Sequence, residues 1–153
     1  MMADSLSADE NLVLMNSGEE SHYQIRLVTE RLKLKSGFII GNARKTDDAL
    51  DHLDALREIY PEKQAIVIQD SLQTSDDGMY PNGHTNGNTC VRVTKKLRRW
   101  AKNPYGDEAG FGIAIIIGQV TKDGKFAGKN EIKHDIDVHM HLFIDMDKKS
   151  DTF

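Results

Sequence analysis

The sequence predicts a three-layer α/β domain built on a mainly parallel sheet. Short apolar runs alternate with segments whose apolar residues recur at helical spacing. Each run ends in polar residues able to start a helix. Strands in such an alternation pair in parallel, and right-handed crossovers place helices on both faces. At 153 residues the chain is about one domain long. Hydrophobic residues make up 39% and charged residues 29%, enough for one core and too apolar for a disordered chain.

The elements follow in order. Residues 1–10 are polar and are expected to form a frayed tail, with 148–153 as a second tail and 11–147 as the domain. Leu12-Val13-Leu14-Met15 is a continuous apolar run, as expected of a strand buried on both faces. Ser21 with Gln24 makes a capping box, and Ile25, Val28 and Leu32 follow at helical spacing. Phe38-Ile39-Ile40 is a second strand. Thr46 is the expected cap of a second helix, with Asp47 and Asp48 in its first turn. Leu50, Leu53, Leu56 and Ile59 form its apolar stripe, and Pro61 stops it. Ala65-Ile66-Val67-Ile68 is the third strand. A Gly- and Asn-rich loop covers 74–88, and a basic helix covers about 89–102. The fourth strand is 113–117, a Gly/Lys loop spans 121–130, and a last strand is expected at 137–145, paired with 113–117.

Formal net charge is −4, so any nucleic-acid site has to be local. The single cysteine, Cys90, excludes an intrachain disulfide and a cysteine zinc cluster, and suits a reducing cytoplasm. No apolar run approaches the roughly 20 residues that span a bilayer, so no membrane association is expected. The acidic, polar start is unlike a signal peptide.

Ligands of open parallel sheets collect at the carboxyl ends of the strands. The polar residues there are Glu19 and Glu20, then Asp70 and Ser71, then Gln119. An apolar run ending in aspartate is the Walker B pattern, in which the carboxylate orients magnesium through water. A carboxylate at the first strand can orient or deprotonate an attacking water. A glutamine at the fourth can sense a terminal phosphate. The plainer alternative is that these residues only cap the helices that follow.

Four stretches carry a family resemblance. Val13-Leu14-Met15-Asn16-Ser17-Gly18-Glu19-Glu20-Ser21, continued by Gln24-Ile25-Arg26 and Glu30-Arg31-Leu32, is the first. Ile66-Val67-Ile68-Gln69-Asp70-Ser71-Leu72-Gln73-Thr74 is the second. Gly112-Ile113-Ala114, Gly118-Gln119-Val120-Thr121-Lys122-Asp123-Gly124 and Ala127-Gly128 form the third, and His134 with Asp137 the fourth. In this order and spacing they resemble the RadA family of RecA-type ATPases, over roughly 12–145. The resemblance implies a RecA-like core that acts in DNA recombination and repair, through strand exchange and branch migration. It implies Glu19 as the water-activating carboxylate, Gln119 as the phosphate sensor, and Asp70 with Ser71 at the ATP and magnesium site. It also implies loops 75–88 and 121–130 facing single-stranded or branched DNA, and a homo-oligomer.

Departures accompany it. No Gly-x4-Gly-Lys-Ser/Thr phosphate loop occurs in the 153 residues. Gly41-Asn42-Ala43-Arg44-Lys45-Thr46 lacks the spaced glycines, and Gly118 to Phe126 has one residue too many. The chain is expected to start after that loop and its strand, and not to bind ATP tightly alone. The 153 residues are also expected to lack the family's four-cysteine zinc module and protease-like domain. Gln119 stands where many members have His, and Lys129 where the family generally has Pro.

Two further groups have functional and plain readings. Arg92, Lys95, Lys96, Arg99 and Lys102 form one face of the basic helix, opposite Cys90, Val93, Leu97 and Trp100. That face is either a solvated surface or, with Lys122, Lys125 and Lys129, a phosphate-contacting one. His134, Asp135, Asp137, His139, His141 and Asp145 cluster near the end and could bind zinc or iron. The leading expectation is a RadA-like ATPase-core fragment. The runner-up is a non-catalytic DNA-binding or oligomer-modulating relative, and a His/Asp metalloprotein is the third.

Overall fold

The computed structural model describes residues 2–35, 37–75, 88–102, 111–119 and 130–140. Four parallel strands, β1 (Leu12–Ser17), β2 (Ile39–Gly41), β3 (Ala65–Asp70) and β4 (Ile113–Ile117), lie in the order β2-β1-β3-β4. Helix α1 (Met2–Ala8) precedes β1, α2 (His22–Arg31) joins β1 to β2, α3 (Thr46–Ile59) joins β2 to β3, and α4 (Thr89–Lys102) lies between β3 and β4. Short 3-10 turns occur at Leu72–Thr74 and Asn130–His134. This is the α/β architecture of a RecA-like core.

The two central strands are apolar because both their faces are covered. On one face Leu12, Leu14, Ala65 and Val67 pack with Leu50 and Leu53 of α3 and Val93 and Leu97 of α4. On the other, Val13, Met15, Ile66 and Ile68 meet Ala3 and Leu6 of α1 and Phe38. The period-2 alternation of strand side chains produces this division. Ile113 and Ile117 of β4 stay 46% and 37% exposed, and β4 has one strand neighbour, β3, among the described residues.

Several expectations need correction. Residues 2–8 are helical, not frayed. Ala3 and Ser7, four apart, give that helix a small-residue face that is buried, and the Asn11 side-chain amide donates to Leu6 O at 2.9 Å. Thr46 is the first helical residue of α3, and its N-cap is Lys45, without a side-chain capping bond. The second strand is one residue later than expected. Residues 137–140 form no strand, the rest of the expected last strand lies outside the described residues, and so does its pairing with β4. The tail 148–153 also lies outside them. The capping box of α2 is present as expected, with Ser21 N donating to Gln24 Oε1 at 2.8 Å and Gln24 N to Ser21 Oγ at 3.3 Å.

A buried polar suture fixes the turn after β2. The Asn16 amide donates to Gln69 Oε1 at 2.9 Å and to Ala43 O at 3.0 Å, and its Oδ1 accepts from Ala43 N at 2.9 Å. Asn16 and Gln69 are each 1% exposed, so neither can turn to water instead. One side chain thus ties β1 to β3 and holds the start of the α3 connection. Replacing it strands a buried amide and two backbone groups. Asn16→Ala should therefore lower the free energy of unfolding by about 3 kcal/mol, read by urea denaturation.

Candidate active site

The parallel register aligns the strand ends. Ser17 of β1 lies opposite Asp70 of β3, and Asp70 lies opposite Ile117 of β4. The three chain segments that leave these strands therefore start side by side. Gly18 N donates to Asp70 O at 2.7 Å, which carries the ladder one residue past β1. The next residue, Glu19, then faces the segments that follow β3 and β4.

Glu19 Oε1 accepts two hydrogen bonds. One comes from Ser71 Oγ at 2.6 Å. The other comes from Gln119 Nε2, 100 residues away in sequence. Gln119 is held in turn by its own backbone, whose N–H donates to Gln73 Oε1 at 3.3 Å. Gln73 belongs to the 3-10 turn after β3, where Thr74 Oγ1 donates to Ser71 O at 2.8 Å. Glu20 N donates to Ser17 Oγ at 3.1 Å, closing the turn after β1.

Asp70 sits beside this group, and its carboxyl is pushed above the usual carboxylate range. Burial is the largest cause, followed by the negative charges of Glu19 and Glu20. A cation there would reverse that penalty, so the carboxylates suit a hydrated magnesium ion. A triphosphate is a different matter. Among the described residues there is no glycine-rich turn of successive backbone amides to cradle its phosphates. A cation would relieve the buried charge of Asp70, whereas a triphosphate cradle is not found among the described residues.

Comparison with curated proteins finds relatives that share one name. The chain is 39% identical over 128 residues to the DNA repair protein RadA of Mycolicibacterium smegmatis, covering 82% of this chain and 26% of that protein. It is 32% identical over 155 aligned positions to RadA of Campylobacter jejuni, covering 97% of this chain and 31% of that protein. It is 31% identical over 141 residues to RadA of Bacillus subtilis, covering 90% and 28%. The chain is a RadA relative. It spans between a quarter and a third of the length of these curated RadA proteins. No family model matches.

Of the residues singled out from the sequence, Glu19, Asp70, Ser71 and Gln119 converge at the strand ends. Ser71 engages Glu19 directly. Arg92, Lys95 and Arg99 are exposed on α4. Lys122, Lys125 and Lys129 lie outside the described residues, as do loops 76–87 and 120–129. Trp100 is half-buried between helices, with its indole N–H donating to Asp54 Oδ1 at 2.7 Å and Arg57 over its ring at 5.8 Å. Among the described residues no three His, Cys, Asp or Glu side chains form a metal-holding group. Asp135 and Asp137 are instead paired with Arg98 and Lys102. His141 and Asp145 lie outside the described residues. No described helix is long and apolar enough to cross a membrane.

Sequence reading missed Gln73, Asn16 and the close approach at Gly18. A Cβ at Gly18 would lie 2.2 Å from Thr74 Oγ1 and 2.6 Å from Thr74 Cβ. Gly18→Ala should cost about 2 kcal/mol of stability through overpacking, and Thr74→Gly in the same chain should recover most of it, both measured by thermal melting.

Asp70 supplies a pH test. Its raised carboxyl means that ionisation opposes folding. That opposition is full above the raised value and vanishes below the ordinary value of 3.8. Asp70→Asn should raise the melting temperature near about pH 7, and the gain should disappear by about pH 3.

Proposed function

We propose that this chain is a RadA-like fragment of a RecA-type ATPase core that acts in DNA recombination and repair. The observation that carries the reading is the convergence of Ser71 and Gln119 on one oxygen of Glu19, beside Asp70, at three adjoining strand ends. The curated RadA proteins it resembles are named for DNA repair, which supports the same reading.

In this reading Glu19 is the base. Two donors occupy its Oε1 and orient the carboxylate, which leaves Oε2 to accept a proton from water. Gln119 stands at the start of the Lys-bearing segment and links the site to it through its side chain and backbone. Asp70 would hold magnesium through water, with Ser71 beside it. Magnesium, when bound, neutralises charge on phosphate oxygens. Glu20 keeps the local potential negative, which favours that cation and keeps anions out until it is present. The partner is single-stranded or branched DNA, contacted by Lys122, Lys125 and Lys129 and by Arg92, Lys95 and Arg99 of α4. Assembly into a homo-oligomer belongs to the same proposal.

A second reading is favoured by one feature. The 153 residues contain no Gly-x4-Gly-Lys-Ser/Thr phosphate loop. Triphosphate affinity in such folds rests largely on that loop's amides and lysine. By itself, then, the chain would be a DNA-binding or oligomer-modulating partner without turnover.

Two measurements test these readings. The chain alone should hydrolyse no ATP in the presence of magnesium, and hydrolysis that disappears in Asp70→Ala would overturn that expectation. It should bind single-stranded DNA weakly and with strong salt dependence. Replacing Lys122, Lys125 and Lys129 with alanine should flatten the log–log salt slope by about 2, at roughly 0.7 per contact. Undetectable binding at low salt would remove DNA from the proposal.

A further inference from the structure

A second charged surface lies on α4, away from the strand-end site. Lys95, Arg98 and Lys102 stand about one turn apart on that helix, and the segment 130–137 runs beside them. Lys95 Nζ is 3.1 Å from Glu131 Oε1, Arg98 Nη1 is 3.0 Å from Asp135 Oδ1, and Lys102 Nζ is 2.8 Å from Asp137 Oδ1. The carboxylates follow the helix in chain order, one for each cation. The segment is anchored between the first two pairs by Ile132, which is 4% exposed and packs into the α3–α4 core.

The contact is asymmetric. The first and last pairs are open to water, with side chains 52% and 55%, then 47% and 74% exposed. Exposed pairs of this kind are screened by salt and exchange readily. Asp135 alone is sequestered, at 13% exposure. An open groove of about 340 Å³ on this surface is lined, among the described residues, by Lys95, Arg98, Arg99, Lys102 and Asp135. Among the described residues these four cations face the three strap carboxylates Glu131, Asp135 and Asp137, which leaves an excess of one positive charge with the strap in place.

We propose that residues 130–137 form an acidic strap that occupies a phosphate-binding stripe on α4, and that the backbone of single-stranded DNA displaces it. The inference rests on the DNA-binding reading above. It adds that the stripe is masked in the free chain, and that Glu131, Asp135 and Asp137 are the groups that mask it. Like the strap, a nucleic-acid strand carries a row of negative charges, but it brings many more of them and releases condensed counterions when it binds. It therefore competes best at low salt.

The test uses the whole chain and a fluorescent oligothymidylate, titrated by anisotropy over a range of salt concentrations. Three proteins are compared: the unaltered chain, E131Q/D135N/D137N, and the same variant carrying K95A/R98A/K102A. Neutralising the strap should tighten binding about tenfold or more at low salt and steepen the log–log salt slope by about 2, for three freed cations at roughly 0.7 each. Removing the cations should reverse both changes. If the unaltered chain binds and the strap variant binds no better, the strap is refuted and the DNA-binding reading stands. If the gain survives loss of the three cations, it is a general charge effect and the strap is again refuted. No binding by any of the three refutes both. Circular dichroism checks folding, and E131Q/D137N, confined to exposed positions, repeats the comparison with two freed cations if the triple variant unfolds.

Discussion

The in-register parallel pairing of β1 with β3 is the constraint on which the rest depends. Six consecutive residues of each strand pair, from Leu12 with Ala65 to Ser17 with Asp70. Side chains alternate between faces, so a slip of one residue would exchange the two apolar sets and their helical partners. The buried amides Asn16 and Gln69 add a second restraint, because their hydrogen bond forms only in this register. Both strands then change from apolar to polar at the same level. That shared level creates the strand-end site.

The site's chemistry follows from placing acids at that level. Glu19, Glu20 and Asp70 leave the sheet close together, and the fold offsets this only in part. Ser71 and Gln119 donate to Glu19, while Asp70 keeps the cost of its burial. Buried negative charge of this kind stabilises the fold less than a neutral group would. The Gly18–Thr74 approach shows how tightly the two loops are packed to hold this arrangement.

The opposite charge is gathered on α4. With a formal net charge of −4, the chain concentrates cations on one helix and then covers several of them. Lys96 pairs with Asp47 of α3, and Lys95, Arg98 and Lys102 pair with the 131–137 segment. These contacts dock the segment after β4 back onto the helix before it. Charge on this surface therefore serves packing as well as any partner, which a count of basic residues on a helical face does not reveal.

The sequence by itself determined the kinds of element and most of their limits, because local periodicity and capping chemistry act over a few residues. The run 113–117, the helix 89–102 and the Ser21–Gln24 box are all legible this way. So was the candidate quartet of Glu19, Asp70, Ser71 and Gln119, since strand ends are where polar residues interrupt apolar runs. Other features depend on segments far apart in the chain. Gln73 meets Gln119 and Lys102 meets Asp137 only after the sheet is assembled, at separations of 46 and 35 residues. Thr46 satisfied every local requirement of a cap, yet Lys45 takes that place. The first residues looked polar enough to fray, yet Ala3 and Leu6 cover Met15 and Ile68 on the second face. Only the tertiary structure decided these points, because an apolar sheet face must be covered by whatever segment reaches it, however polar that segment looks in sequence.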